Sequence, residues 1–476
     1  MSQRRLGHHS LQEMLGNWQY TSSRLPLWQQ LASALRLLVL DGRLVQGTRL
    51  PGERELASAL KISRTTVSSA LSLLREQGFV KSQQGSGSRI TLPENAVHIP
   101  ASMSPGSALD LSTASLSAGP EIHQAFRQAL LRYPEFSGAT GYDPRGLLSL
   151  REAIARRYCS RGLPTRPDEV MVVNGAVSGL ALVLRWLTGP GDRVLVDHPT
   201  YPSALAAIRG ASCQPIGVAL ADGHWDHGGL AAALAQTSPR LAYLIADYHN
   251  PTGFCMSEES RAEITGLAAR YRTPLVIDET LAELWYQQPP PPPVAAFARP
   301  GEVICLGSAS KSYWGGLRIG WIRASASQIA SLVQIRDSLD LASPVTEQVV
   351  CEVLLNNSDQ FLPQRRQMLQ QRRDTCAQLM QTWFPEWKFQ VPAGGLSFWV
   401  ELPDRVATRF ASRASEAGIL LGTGTRFGIS GAFDRYLRMP FSADEATLQL
   451  AFQRLQPLWL SLSGSPDLPP LNRAVY

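Results

Sequence analysis

Lys311 stands among small hydroxyl residues, in Ser308-Ala309-Ser310-Lys311-Ser312, with Gly315, Gly316 and Arg318 just downstream. The run Val303-Ile304-Cys305-Leu306 before it is apolar and reads as a strand. Burial penalises a charged amine, so a lysine held there can lose its proton and form a Schiff base with an aldehyde. Ser308, Ser310 and Arg318 can hold a phosphate. A covalently held aldehyde with a phosphate arm points to pyridoxal 5'-phosphate.

A lone lysine is a weak signal, and the case rests on partners elsewhere. Asp278 follows Leu275-Val276-Ile277. At the end of so apolar a strand it needs a cation, and a protonated pyridine nitrogen would be one. Asn250, in Asp247-Tyr248-His249-Asn250-Pro251-Thr252-Gly253, can donate to the ring's phenolic oxygen. Tyr201 can stack on the ring face. Gly175 and Ala176 turn from a strand into a helix and offer free backbone N–H groups to a phosphate. Tyr142, in the loop Gly141 to Gly146, joins this cofactor set. Arg438 could take a ligand carboxylate in a bidentate way. Each residue has an ordinary alternative: a strand-end aspartate often caps a helix, Asn-Pro-Thr-Gly makes a turn, and a tyrosine packs in a core. Their order, one after each apolar run, is what argues for a site.

These positions require a particular scaffold. The runs Val170 to Val173, Arg193 to Asp197, Leu241 to Ala246, Pro274 to Ile277 and Val303 to Leu306 alternate with helical stretches. Each ends in polar residues, as expected where ligands bind beyond the carboxyl ends of parallel strands. Near Pro289 to Pro293 a polyproline stretch reads as a stiff spacer. Arg365, Arg366, Arg372 and Arg373 share one helix and read as a solvated face, with an interface or a further DNA contact as the other readings.

At 476 residues the chain exceeds one ordinary domain. No uncharged apolar run reaches membrane-spanning length. The start is polar and has no signal-peptide core, and the six cysteines are scattered without metal-ligand spacing. A cytoplasmic protein with reduced thiols and no metal is expected. Of the 45 Lys and Arg, 12 fall in the first hundred residues against 6 Asp and Glu, a surplus equal to the net charge of the whole chain, +6. A basic module on a neutral body suggests an anionic polymer as partner.

That module has its own pattern. Leu31, Leu35, Leu38 and Val39 share one side of a helix. Pro51-Gly52 opens a short second helix through Leu60. Ser63 caps a third, from Arg64 to Gln77, with Val67, Ala70, Leu71 and Leu74 inward. Two short strands follow, joined by Gln83 to Ser88. This is a helix-turn-helix with a hairpin, whose later helix enters a major groove. Its first turn presents Arg64, Thr65, Thr66 and Ser68.

The run from Leu50 to Ile90 resembles the winged helix-turn-helix of GntR-type regulators. The resemblance implies contacts to double-stranded DNA from Arg54, Arg64, Thr65, Thr66, Ser68 and the wing near Gly87. Residues 110 to 460 resemble fold-type I aminotransferases. The combination resembles the MocR subfamily of bacterial regulators. It implies an α/β protein with an N-terminal winged helix-turn-helix domain and a fold-type I aminotransferase-like domain. The latter would comprise a large, mainly parallel sheet and a smaller C-terminal α+β subdomain. The expected boundaries are a polar tail over 1–23, the DNA-binding domain over 24–92, a linker over 93–110 and the effector domain over 111–476. The implied protein is a head-to-tail homodimer, a transcription regulator sensing pyridoxal 5'-phosphate or an amino compound, and not an enzyme. An active aminotransferase with an accessory DNA-binding module is the alternative. One departure bears on this: family members commonly carry a tyrosine two or three residues after the ring aspartate, where this chain has Thr280 and Leu281.

Overall fold

The computed structural model describes residues 6–16, 18–19, 26–40, 43–44, 46–83, 87–91, 109–221 and 223–463. The N-terminal module comprises α1 (His8–Leu15), α2 (Leu27–Leu40), α3 (Glu53–Leu60), α4 (Arg64–Glu76) and an antiparallel hairpin of β1 (Val80–Gln83) and β2 (Gly87–Ile90). Leu31, Leu35, Val67, Ala70, Leu71 and Leu74 form its core, as the helical spacing requires. The stretch expected as a polar tail differs. Leu11, Leu15 and Trp18 are buried in the same core, so α1 belongs to the module. The signal was present, since Leu11, Met14, Leu15 and Trp18 recur at i, i+3, i+4 and i+7, but the polar composition around them outweighed it. The expected linker lies outside the described residues over 93–108, as do wing-tip residues 84–86. Its last part is instead strand β3 (Leu109–Leu111).

The body holds an eight-stranded sheet of β4 (Val170–Val173), β5 (Arg193–His198), β6 (Gln214–Ala221), β7 (His224–Trp225), β8 (Leu241–Ile245), β9 (Leu275–Asp278), β10 (Val303–Ser308) and β11 (Gly320–Arg323). Its order is β4-β11-β10-β9-β8-β5-β6-β7. The five central strands from β10 to β6 run parallel, and the three outer ones are antiparallel to their neighbours. Strands β4, β8, β9 and β10 are buried along their whole length. Such strands read as continuous apolar runs because both faces are covered. A second sheet, ordered β12-β14-β13-β3, joins β12 (Ser397–Glu401), β13 (Ile419–Thr423) and β14 (Tyr436–Pro440) to β3. Strand β3 pairs in parallel with β13, Leu109 opposite Ile419 and Leu111 opposite Leu421. The chain therefore enters the body through its C-terminal subdomain.

The four helix arginines are not a solvated face. Arg365 donates to the Tyr313 carbonyl and bonds Glu121, and Arg366 bonds Glu283 over the Trp285 ring. Arg372 donates to the Ser442 carbonyl, and buried Arg373 to that of Pro392. They tie the long helix Ser358–Trp383 to both halves of the body. The proline stretch is docked rather than free, since the Pro292 carbonyl accepts from Arg261 at 3.0 Å.

Candidate cofactor site and nucleic-acid interface

Nine of the ten cofactor candidates line one cavity of about 200 Å3: Gly175, Ala176, Tyr201, Asn250, Asp278, Ser308, Ser310, Lys311 and Arg318. The sheet explains the convergence. Strands β4, β5, β8, β9 and β10 each deliver their residues at or just beyond the carboxyl end. Lys311 lies on the short helix Ala309–Ser312 after β10, and the Ser308 hydroxyl caps that helix by accepting from the Ser310 amide at 3.1 Å.

Electrostatics single out the lysine. Burial first and Arg438 second lower the Lys311 pKa to about 8, against the opposing pull of Asp278. Its Nζ donates to the Ala114 carbonyl at 2.7 Å. Asp278 is buried. Its Oδ1 accepts from the Thr280 amide at 2.9 Å and its Oδ2 from the Tyr243 hydroxyl at 2.6 Å. Asn250 is positioned by a loop whose Asp247 carboxylate is clamped between Arg161, at 3.1 Å, and Arg261, at 2.5 Å.

The phosphate end is built from backbone. Gly175 has φ +94°, and a Cβ there would lie 2.7 Å from Arg318 Nη2. Arg318 donates to the Asn174 carbonyl at 3.1 Å, beside the first turn of the helix Ala176–Leu187. These residues fit a phosphorylated aldehyde. They offer a neutralisable amine, a helix start with a cation beside it, and a buried carboxylate for a ring nitrogen.

Arg438 stands near Lys311 but outside the cavity wall. Burial, with Arg426 nearby, brings its pKa down to about 10. It bonds the Ser112 carbonyl and lies over the Phe427 ring, while its Nε has no hydrogen-bond partner among the described residues. Tyr142 is not brought to the cavity in this chain. It is 68% exposed.

In the module, Ser63 Oγ accepts from the Thr66 amide at 3.0 Å, making it the cap of α4. The Thr65 and Thr66 hydroxyls lie 2.7 and 2.8 Å from the same oxygen. Arg54, Arg64, Thr65 and Gly87 are exposed, and Ser68 and Thr66 are half-buried. The Arg64 Nε is 3.8 Å from Glu53, a solvated pair. Gly87 has φ +81°, and Arg49 packs where its side chain would be.

Comparison with known proteins now adds to this geometry. The model of aminotransferase class I and II matches residues 109–455. The chain belongs to that family. The model of bacterial regulatory proteins of the gntR family matches residues 27–90, so the architecture is that of the MocR-like regulators. The HTH-type transcriptional regulator YdcR of Escherichia coli (strain K12) is 29% identical over 444 residues, covering 86% of this chain and 94% of its own. The HTH-type transcriptional regulator YisV of Bacillus subtilis (strain 168) is 27% identical, covering 86% and 91%. Among solved structures, LysN, an α-aminoadipate aminotransferase from Thermus thermophilus complexed with N-(5'-phosphopyridoxyl)-L-leucine, superposes with a TM-score of 0.69. The two are 25% identical, over 75% of this chain and 94% of that one.

Two features around the cavity escaped the sequence. Tyr243 is buried in β8, where an apolar run conceals it. A tyrosine hydroxyl inside a fully buried strand needs a partner, and that was the available signal. Ser112, Ala114 and Ser115 meet the site from the stretch around β3, which carries no chemical motif.

Proposed function

We propose that this protein is a DNA-binding transcription regulator whose aminotransferase-like domain binds pyridoxal 5'-phosphate on Lys311 and senses that cofactor or an amino compound. The observation that carries this reading is Lys311, its pKa lowered to about 8, sharing one cavity with Asp278, Asn250 and Arg318 in a chain that begins with a GntR-type module. When bound, the cofactor supplies an electrophilic aldehyde and an electron-withdrawing ring. Asp278 would hold the ring nitrogen, Asn250 the phenolic oxygen and Tyr201 the ring face. Ser308, Ser310, Arg318 and the Gly175 turn would hold the phosphate, and Arg438 the carboxylate of an effector. Arg64, Arg54, Thr65, Thr66, Ser68 and Gly87 would meet the operator. The protein works as a regulator rather than a metabolic enzyme: Thr280 and Leu281 line the cavity where the family resemblance implies a tyrosine donor, and the loss of that donor weakens transamination to a residual activity at most.

A homodimer in the cytoplasm completes the reading. Leu130, Leu131, Tyr133, Leu339 and Leu341 are all about half exposed or more, and a second copy would cover such apolar side chains. Tyr142, on a loop near Val345, would then face the partner's cofactor. No helix among the described residues is long and apolar enough to cross a membrane.

The test is footprinting of the full chain on the promoter regions beside its own gene, with and without pyridoxal 5'-phosphate. A cofactor-dependent footprint is expected. Steady-state transamination without any footprint would favour the enzyme reading.

A further inference from the structure

We propose that Tyr243 is a positioning residue for the cofactor, fixing the Asp278 carboxylate and aiming it at the ring nitrogen. This rests on the cavity being a pyridoxal 5'-phosphate site. Tyr243 and Ile245 share one face of β8, and Ile245 stands level with Asp278 across the parallel β8–β9 pair. From there the Tyr243 hydroxyl donates to Asp278 Oδ2 at 2.6 Å, while the Thr280 amide supplies Oδ1 at 2.9 Å.

Both side chains are buried, at 1% and 5% exposure. A carboxylate at such depth needs donors or cations to replace its lost hydration, and what holds it sets where it can aim. One donor on each oxygen stabilises the anion and leaves each oxygen a further lone pair for the ring. Burial, then the Asp278 charge, raises the Tyr243 pKa well above that of a free tyrosine, so the hydroxyl keeps the proton it donates. Asp278 also acts on Lys311, which lines the same cavity, raising its pKa against burial and Arg438. Tyr243 touches Asp278 and does not line the cavity, so its role passes through that carboxylate.

The test compares pyridoxal 5'-phosphate with its deaza isostere, which has CH in place of the ring nitrogen, by absorbance titration of the full chain. Y243F should weaken binding of the natural cofactor about ten-fold, as expected for losing a hydrogen bond to a charged group. Binding of the deaza compound should be unchanged. In a D278N background, where no buried carboxylate is left short of a donor, adding Y243F should change neither affinity. That pair gives a second reading if Y243F alone does not fold. Equal losses for both aldehydes would reduce Tyr243 to packing, and no loss for either would remove it from the site. A wild-type chain that binds neither aldehyde would overturn the cavity's assignment itself, a separable failure.

Discussion

The two recognition regions of this molecule are built in opposite ways. On the module, Arg54, Arg64 and Thr65 stand in solvent, and the nearest partner of Arg64 is Glu53 at 3.8 Å. In the body, Lys311, Asp278 and Arg438 are desolvated, each held by a short hydrogen bond before any ligand arrives. An exposed pair contributes about 0–1 kcal/mol and gives way readily to a phosphate. A buried charge stripped of its partner costs several kcal/mol. The DNA face is therefore arranged on contact, whereas the cavity is arranged by folding. Substitutions on the first should give graded effects, and on the second nearly all-or-none ones.

The largest expected effect is K311A. The purified protein should show the absorption of a lysine-bound aldehyde, trappable with borohydride, and the variant should lose that adduct entirely. Mass spectrometry of the trapped peptide decides it: a single main modified site elsewhere in the variant would break the assignment. The pH dependence is next. Attack on an aldehyde needs the neutral amine, and Lys311 has its pKa lowered to about 8 by burial and by Arg438, against Asp278. The trapping rate should rise about ten-fold per pH unit towards pH 8 and level off above it. Replacing Arg438 with Gln should move the midpoint up, and Asp278→Asn should move it down. A midpoint indifferent to both would mean that the buried charges do not communicate.

On the graded side, Arg64→Ala should weaken specific operator binding by about 1–3 kcal/mol if it reads a base edge. Gel-shift affinities on the operator and on a scrambled duplex separate the roles. Equal weakening on both makes Arg64 a phosphate contact, and no change removes it from the reading set.

The sequence was legible where chemistry and periodicity coincide. Asp278 ends an apolar strand, and Lys311, Asn250 and Tyr201 each follow one within five residues, so alternation of strands and helices was enough to gather them. Val67, Ala70, Leu71 and Leu74 marked the recognition helix by spacing alone. What stayed hidden depends on pairing across the chain. The α1 helix is only eight residues long, and its helically spaced Leu11, Met14 and Leu15 sit in an otherwise polar stretch. The arginines of the long helix look solvated until their carbonyl partners, Tyr313, Ser442 and Pro392, fold against them. Residues 109–115 carry no motif, and their backbone carbonyls matter only because β3 joins β13.

That last segment bears on how the two regions communicate. The Ser112 carbonyl is held by Arg438 and the Ala114 carbonyl by Lys311, while Asp110 accepts from the Ser112 amide at 2.7 Å. Residues 92–108, which lead to the DNA-binding module, adjoin this segment directly in sequence. Once Lys311 is bonded to an aldehyde it can no longer hold Ala114 in the same way, and a carboxylate on Arg438 competes with Ser112. Ligands shift an equilibrium only by their different affinity for two arrangements. A typical coupling of about 1–3 kcal/mol corresponds to roughly 5–150-fold in affinity, shared equally by both ligands. Operator DNA should therefore change the affinity for pyridoxal 5'-phosphate by the factor by which the cofactor changes operator affinity. Peptides spanning 109–116 should exchange their amide hydrogens faster in the loaded protein. Pyridoxine 5'-phosphate, which has no aldehyde, should enter the cavity without that change. Unaltered exchange on loading, alongside a measurable coupling, would move the signal away from this segment and onto the spacing of two modules in the proposed dimer.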